Sequence, residues 1–365
     1  MLHIVINGRF LTQSITGVQR YAREIVHAFD RLLDARSDVT MELVCPPATT
    51  DLPVYRNIPV RRIGSGGGHR WEQASLPGAV GDGILFCPGN TAPIRSLLGG
   101  TKTVVTVHDL SYRYFPSAYS RAYRLVYNLM TPMILRRADA VLTVSEPERR
   151  SIIEHYPVVA PRLVAIQNGG LAEDVVIDRP RPADLPPPGY VLYVGSLSKR
   201  KNFPMMFDVA CEMAASRGTR FVFVGGTEAS LEQSDRSVPP DIAEHILFAG
   251  QVNETDRLVD WYNGAAAFLF PSLYESSGLP PMEAMACGVP VVASRIPALE
   301  ERCGDAALYC DASDRADIIA TLSRLLDDPL LHADLSARSR ARAAEYDWRN
   351  CAIKTLDVFR NVDAA

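Results

Sequence analysis

Short apolar runs alternate along the chain with longer segments in which apolar residues recur every three or four positions. The runs predict strands at residues 2–6, 41–45, 84–87, 103–107, 140–144 and 163–166, and the longer segments predict helices at 18–33 and 118–137. Strands that alternate with helices in this way are typical of parallel βαβ units. We therefore expect a doubly wound α/β domain in the first half of the chain.

The same pattern starts again after residues 178–189, a segment that contains five prolines. Because proline donates no backbone hydrogen bond, this segment is excluded from both sheets and is interpreted as an interdomain linker. Beyond it, strands are predicted at 190–194, 221–224, 246–249, 267–270 and 291–293, with a helix at 203–217. The sequence thus predicts a first domain at 1–178, a second at 189–346 and a terminal helical segment at 347–365.

Composition narrows the class of protein. The chain has 365 residues, of which 47% are hydrophobic and 22% charged, and its net charge of −4 argues against a general nucleic-acid-binding protein. The seven cysteines include no C-x-x-C pair, so we expect reduced thiols, with Cys303 and Cys310 as buried small residues. No signal-peptide pattern and no apolar run of about 18–20 residues is found, which favours a cytoplasmic protein.

The most informative segment is residues 274–294, where Glu275 and Glu283 flank the sequence Gly-Leu-Pro-Pro. A helix is predicted to begin near Pro280 or Pro281, with its positive end facing the preceding loop. Because carboxylates repel phosphate, the two acids are expected to accept hydrogen bonds from sugar hydroxyls instead. The segment therefore predicts a diphosphate site formed by the backbone amides of Ser277, Gly278, Leu279 and Met282.

The order E-x-x-G-L-P-x-x-E-A-M-A-x-G-x-P-V-V, which contains Glu-x7-Glu, resembles the signature of family 4 of the retaining glycosyltransferases. The resemblance implies the GT-B fold, in which two Rossmann-like domains face each other across a cleft. It also implies an acceptor-binding first domain, a nucleotide-sugar-binding second domain, and a final segment 347–365 that crosses back to the first.

Ligands of parallel sheets bind at the carboxyl ends of strands, and two such places lie in the first domain. Gly17 precedes the opening helix, and by resemblance it lets backbone amides approach the donor phosphate; a plain helix-entry glycine is the alternative. His108 follows a predicted strand, and the adjacent Asp109 is expected to fix its tautomer. The resemblance places this pair beside the donor sugar and the acceptor, whereas a structural histidine remains the other interpretation.

The loop at residues 194–202 carries three consecutive cations. Because cations stabilise a diphosphate, Lys201 is the first candidate and Arg200 the second, although a solvated basic loop has the same composition. Gly195 and Ser196 are also expected to bind the donor. Many family members have Gly-Arg at these two positions, so Arg200 is expected to replace the missing guanidinium. By resemblance, the segment 250–253 with Val252 binds the nucleobase through its main chain. Because main-chain contacts do not depend on side chains, the sequence does not identify the base.

Other signals are rejected or point to no cofactor. The run Gly64 to His69 has a histidine where a dinucleotide-binding loop needs its third glycine, so it is interpreted as a surface loop near the acceptor. The chain has no P-loop motif, and Asp311 and Asp314 have the wrong spacing for an Asp-x-Asp metal site. We therefore expect no metal and no cofactor beyond the donor substrate.

The resemblance implies a retaining, metal-independent hexosyl transfer from a nucleoside-diphosphate sugar to a glycan, a lipid-linked glycan or a small acceptor in bacterial surface polysaccharide synthesis, with mannose or rhamnose preferred. Glu275 would then hold the donor sugar, Glu283 the ribose, and His108 the reacting face. Two alternatives are a nucleotide-sugar epimerase and a non-catalytic scaffold that binds nucleotide sugars.

Basic and aromatic residues of the first domain suggest contact with an anionic acceptor or peripheral association with the inner membrane. Arginines spaced along helices more often belong to a solvated surface, and both interpretations stay open. Arg113 and Tyr114 are the candidates on the acceptor side, and the wider set also includes Arg20, Arg23, Arg121 and Arg124.

Overall fold

A computed structural model describes residues 1–226 and 237–365. The chain divides into two compact units, of which the first comprises residues 1–169 and 348–365 and the second residues 170–347. The terminal helical segment thus belongs to the first unit. The boundary differs from the predicted linker at 178–189, because the proline-rich segment is tied into the second unit. There Arg179 Nε donates to Asp260 at 2.8 Å, and the side-chain amide of Asn263 donates to the carbonyl of Ile177 at 2.7 Å.

The first unit contains a seven-stranded parallel sheet in the order β3-β2-β1-β4-β5-β6-β7. Its central strands are buried on both faces, which is why their sequences are continuously apolar rather than alternating. The strand β3 was not predicted, because Pro59 directly precedes it. The strands are β1 Leu2–Asn7, β2 Val39–Cys45, β3 Val60–Arg62, β4 Ile84–Cys87, β5 Thr103–Thr106, β6 Ala140–Thr143 and β7 Leu163–Ala165.

Helices cover this sheet, and the last helix of the chain packs on the first through the rings of Phe29 and Phe359, 5.9 Å apart. The fifth helix begins at Arg121, later than predicted, because the hydroxyl of Ser120 accepts a hydrogen bond from Tyr123 N at 3.1 Å and caps it there. The helices are α1 Gly17–Leu33, α2 Gly68–Ala74, α3 Ile94–Leu98, α4 Ser111–Tyr114, α5 Arg121–Arg137, α6 Glu146–His155 and the terminal helix Trp348–Ala364.

The second unit contains a six-stranded parallel sheet in the order β10-β9-β8-β11-β12-β13. The strands are β8 Tyr190–Val194, β9 Phe221–Val224, β10 Ile246–Gly250, β11 Ala265–Phe270, β12 Val291–Ser294 and β13 Ala307–Cys310. Its helices are α7 Phe203–Arg217, α8 Thr255–Asn263, α9 Leu279–Ala286, α10 Pro297–Cys303, α11 Arg315–Asp327 and α12 Pro329–Ala343.

Both sheets have the doubly wound order in which the chain starts at the middle, fills one side and then the other. The predicted pair of Rossmann-like domains is therefore confirmed. The switch in direction lies between β1 and β4 in the first sheet and between β8 and β11 in the second, and ligands of open α/β sheets bind outside the carboxyl ends of strands at such points.

The cysteines in the described residues form no disulfide, and Cys303 and Cys310 are buried, as predicted. Across residues 1–226 and 237–365, no helix combines the length and the apolar character needed to cross a membrane.

Candidate functional site

The switch point of the second sheet brings two predicted site residues together. Lys201 follows β8 and Glu275 follows β11, and Lys201 Nζ forms an ion pair with Glu275 Oε1. Both side chains are nearly buried, with 12% and 7% of their surface exposed. Lys201 Nζ also lies 5.1 Å from the ring centre of Phe270. Burial on this scale makes a solvated basic loop an inadequate description of Lys201.

Glycines shape the loop that carries Lys201. Gly195 has a φ of +151°, and a Cβ there would lie 2.7 Å from the hydroxyl of Tyr193. A Cβ on Gly225 would lie 1.9 Å from the carbonyl oxygen of Gly195, so the ends of β8 and β9 approach each other more closely than any side chain allows. Gly225 was not predicted from the sequence, although a glycine pair after an apolar strand is a recognisable signal.

Arg200 and Ser196 have local partners of their own. Arg200 Nη1 donates to the carbonyl of Tyr274 at 3.3 Å, and the carbonyl of Arg200 accepts from Leu273 N at 3.0 Å, so Arg200 is tied to the segment that leads to Glu275. The carbonyl of Ser196 accepts from the hydroxyl of Tyr193 at 2.9 Å. A phosphate contact by Arg200 in place of the family arginine stays a prediction.

The mouth of helix α9 has the predicted local structure. Gly278 caps the helix with a φ of +76°, and a proline lies in the first turn. The helix begins at Leu279, just before the predicted start. Within the described part of the chain, the backbone amides of Ser277, Gly278 and Leu279 donate to no protein acceptor, and the buried hydroxyl of Ser277 has no partner. Three unpaired amides at a helix N-terminus make a site that suits an anion.

Glu283 lies inside the second unit. Its side chain is buried, and its Oε2 accepts a hydrogen bond from the hydroxyl of Tyr262 at 2.9 Å. Tyr262 was not predicted as its partner, because it lies on a different helix. The role of Glu283 toward ribose stays a prediction.

The segment proposed for the nucleobase is held against the end of β9. Gly225 N donates to the carbonyl of Gly250 at 2.8 Å, and Gly226 N donates to Gln251 Oε1 at 3.0 Å. The half-buried Val252 follows directly and packs against the core of the second unit. This anchoring fixes the position of the main chain around Val252.

In the first unit, His108 is buried, and its ring lies edge-on to Tyr21 with 4.7 Å between ring centres. Nε2 lies 2.8 Å from the carbonyl of Pro88, which can only accept, so Nε2 carries the proton. Burial lowers the pKa of His108, and the Pro88 carbonyl and the Asp109 carboxylate offset only part of that effect. The ring is therefore neutral near pH 7, and Nδ1 carries a lone pair.

Asp109 does not set this tautomer, contrary to the expectation. Its Oδ1 accepts instead from Ser111 N at 2.9 Å and from the hydroxyl of Ser111 at 2.6 Å. The physical reason is that an aspartate satisfies the backbone two residues ahead of it more readily than a ring on its other side. The carbonyl of Pro88, from the loop after β4, orients His108.

The other first-unit candidates are distributed over the surface. Gly17 is the first residue of α1, has an ordinary φ and would have nothing within 4 Å of a Cβ, so nothing in the described structure requires a glycine there. Arg113 donates to the hydroxyl of Tyr156, and the hydroxyl of Tyr114 lies 2.6 Å from that of Ser151. Both are thus held at or next to α6. A contact of Arg113 or Tyr114 with the acceptor stays a prediction.

The arginines considered for membrane contact do not share one degree of exposure. Arg121 is exposed, whereas Arg20, Arg23 and Arg124 are half-buried.

Among residues 1–226 and 237–365, no three side chains of His, Cys, Asp or Glu come together as a group that could hold a metal ion.

Models of two related families match the chain. The model described as "Glycosyl transferases group 1" matches residues 188–328, and the model described as "Glycosyltransferase Family 4" matches residues 84–169. The two matches fall in the second and the first unit respectively.

Curated relatives are similar over much of the chain. The O-antigen chain mannosyltransferase B of Escherichia coli is 29% identical over 275 residues, which cover 71% of this chain and 70% of that protein. The serotype-specific mannosyltransferase WbdA of Escherichia coli is 28% identical over 277 residues, which cover 71% of this chain and 33% of that protein. The chain therefore matches only about a third of the length of WbdA.

Solved structures are similar over the full chain. Sucrose-phosphate synthase from Thermosynechococcus elongatus has a TM-score of 0.73 and 22% identity, and the match covers 100% of both chains. Anabaena Alr3699/HepE in complex with UDP-glucose has a TM-score of 0.70 and 14% identity, again covering 100% of both chains. At these identities the likeness establishes the fold.

Proposed function

The chain belongs to glycosyltransferase family 4, and on that premise we propose that it transfers a hexosyl group from a nucleoside-diphosphate sugar to a hydroxyl group of a glycan or lipid-linked glycan, with retention of configuration and without a metal ion. One observation carries the proposal. The pair of Lys201 and Glu275 lies at the switch point of the second sheet, in the loops that lead to the unpaired amides of Ser277, Gly278 and Leu279.

Each group suits one part of such a donor. The ammonium of Lys201 and the amides at the mouth of α9 stabilise the diphosphate as it gains charge. The carboxylate of Glu275 accepts hydrogen bonds from sugar hydroxyls. An ionised phosphate has no such hydrogen to donate, so this carboxylate suits the sugar and not the phosphate. The ion pair holds the two side chains next to each other, so that the ammonium can contact the phosphate and the carboxylate the sugar hydroxyls.

The proposed reaction breaks the bond between the anomeric carbon and the phosphate oxygen, and the diphosphate leaves with the electron pair. The oxygen of the acceptor hydroxyl forms the new bond on the same face of the sugar, and its proton passes to an oxygen of the departing phosphate. This route needs no nucleophilic side chain. His108, neutral and with a free lone pair on Nδ1, orients the reacting groups.

Mannose is the proposed sugar, because the similar proteins of Escherichia coli are mannosyltransferases, one of the O-antigen chain. On the same grounds, the proposed product is a bacterial surface polysaccharide. The structure of Alr3699/HepE holds UDP-glucose, which supports a nucleoside-diphosphate sugar as the donor class.

The test begins with thermal shifts of the purified chain in GDP, UDP and dTDP, followed by transfer assays with the matching sugar donors and mannose-terminated acceptors. We expect one nucleotide to raise Tm and its sugar donor to give a glycosylated product whose anomeric configuration, read by NMR, matches that of the donor. EDTA should leave the rate unchanged. Transfer with inversion, or transfer abolished by EDTA and restored by a divalent cation, would contradict the proposal.

Incubation with donor alone separates the two alternatives from transfer. Rapid conversion of the donor to an isomer indicates an epimerase. Tight nucleotide binding without any turnover over a broad panel of donors and acceptors indicates a scaffold.

A further inference from the structure

A buried polar cluster lies at the switch point of the first sheet, between the ends of β1 and β4. Glu72 of α2 reaches this point with its side chain fully buried. Its Oε1 accepts from the side-chain amide of Asn7, the last residue of β1, at 2.7 Å and from the hydroxyl of Thr91, in the loop after β4, at 2.8 Å. The cluster therefore occupies the place where open α/β sheets bind ligands.

Arg9 compensates the charge of Glu72 within the cluster. Arg9 Nε donates to the same Oε1 at 3.2 Å, and Arg9 Nη2 donates to the hydroxyl of Thr91 at 2.8 Å. Burial raises the pKa of Glu72, but His69, Arg9, Thr91 and Asn7 together outweigh this effect and hold the pKa below its ordinary value. Glu72 is thus an ionised carboxylate that can only accept hydrogen bonds.

The second carboxylate oxygen of Glu72 faces a histidine at the surface. His69 Nδ1 lies 3.3 Å from Glu72 Oε2, and 40% of the His69 side chain is exposed. Because the carboxylate only accepts, Nδ1 carries a proton and donates to Oε2, which leaves Nε2 as the ring nitrogen available to a ligand. Nε2 has no hydrogen-bond partner in the described residues. The buried carboxylate therefore orients the ring of a partly exposed histidine.

We propose that His69 binds the acceptor substrate, with Nε2 hydrogen-bonded to a hydroxyl group of the acceptor glycan. This inference rests on the proposed function and adds a binding residue to it. A neutral hydroxyl suits the cluster, because Arg9 offsets the charge of Glu72 and leaves little net field to attract an anion or a metal ion.

Two further observations agree with an acceptor role. The backbone just before His69 is uncrowded, since a Cβ on Gly67 or Gly68 would have nothing within 4 Å. The loop after β4 joins the cluster to the other imidazole of this sheet edge: Thr91 donates to Glu72, and Pro88 accepts from His108. One loop thus supports both His69 and His108.

The test is a His69→Phe variant, which keeps an aromatic ring and removes both nitrogens. His3→Phe is the matched control, because 43% of the His3 side chain is exposed and its Nδ1 lies 3.0 Å from the hydroxyl of Thr40, at the beginning of β1. Steady-state kinetics are measured with the donor established for the wild type and a methyl mannobioside as acceptor. Release of nucleoside diphosphate is also measured without acceptor, and Tm confirms folding.

For His69→Phe we expect the acceptor KM to rise about tenfold, with donor KM and acceptor-free release unchanged. His3→Phe should leave all three as in the wild type. An acceptor KM within about twofold of the wild type would overturn the inference, as would an equal rise in both KM values. Failure of the wild type to transfer sugar to any acceptor overturns the proposed function and this inference with it. A wild type that transfers normally beside an unaffected variant overturns the inference alone.

Discussion

Lys201 Nζ and Glu275 Oε1 form an ion pair between residues that lie 74 positions apart in the chain. The two loops that carry them follow neighbouring parallel strands, β8 and β11, so the sheet order brings the charges together. A nearly buried pair of this kind links the stability of the second unit to the groups assigned to the donor.

Removing one charge of this pair should destabilise the protein. Lys201→Met leaves Glu275 buried without its cation, and we expect a loss of about 3–5 kcal/mol in the free energy of unfolding, measured by urea denaturation. The double variant Lys201→Met with Glu275→Gln should recover most of that loss but no transferase activity. A single variant as stable as the wild type would show that the pair does not contribute to folding.

Glu275→Gln should reduce turnover in addition to stability, because it also leaves Lys201 without its opposite charge. The amide keeps the size of the side chain, but it offers one acceptor oxygen and no charge to the sugar hydroxyls, so we expect kcat to fall about 100-fold or more. Glu300→Gln is the control, because Glu300 is an exposed carboxylate of the same unit that pairs with Arg295 at 3.3 Å. Transfer at the wild-type rate by Glu275→Gln would refute the role assigned to Glu275.

Gly278→Ala should weaken nucleotide binding and lower stability together. The φ of +76° is costly for alanine, and the new Cβ would lie 2.8 Å from Leu299 Cδ2, so the mouth of α9 must shift. We expect a destabilisation of about 1–2 kcal/mol from the backbone alone. The nucleotide Kd should also rise, as measured by calorimetry.

Gly81→Ala is the control for the Gly278→Ala variant. It tests the effect of backbone strain alone, without a displacement of the N-terminus of α9. Gly81 also has a positive φ, +58°, but a Cβ there would have nothing within 4 Å. Its alanine variant should therefore lose stability without any change in nucleotide affinity. Equal affinities for the Gly278→Ala variant and the wild type would argue against an anion site at α9.

His108 should make the first unit less stable in mild acid. Its pKa is lowered in the folded state, so the unfolded chain binds the proton more readily as the pH falls. The stabilisation is complete above the unfolded pKa of about 6.5 and is lost as the pH falls through the folded pKa. The urea midpoint of the wild type should therefore fall more between about pH 7.5 and about pH 5.5 than that of His108→Gln.

The comparison variant for the pH dependence is His155→Gln, in which an exposed histidine is removed. This variant should keep the wild-type dependence. Identical dependence in His108→Gln would mean that the burial of His108 does not control stability in this range.

The strand and helix pattern was readable along most of the chain, because apolar periodicity reports which face of each element is buried. The short strand β3 was missed, since Pro59 removes a donor just before it. The domain boundary was misplaced as well. Proline content shows that residues 178–189 cannot join a sheet, but contacts such as Arg179 with Asp260 decide to which unit they attach.

In the candidate site, too, the partners of a side chain are often distant in sequence rather than adjacent to it. Asp109 follows His108 in sequence, yet the carbonyl of Pro88, 20 positions away, sets the tautomer of the ring. His69 stood out only as an interruption of a glycine run, and its buried partner Glu72 carried no signal in a short helix. A single sequence indicates neither contact, because both depend on which loops the sheet order makes neighbours.

By itself, the sequence determined the features that depend on a few adjacent residues: the alternating strands and helices, and the entry to α9 with Gly278 at a positive φ and a proline in the first turn. Only the tertiary structure decided the pairing of Lys201 with Glu275, the contact of Tyr262 with Glu283 and the orientation of His69 by Glu72. The physical reason is range. Backbone preferences act within a turn or two of chain, whereas partners distant in sequence are chosen by the order of strands in a sheet and by the need to satisfy every buried charge.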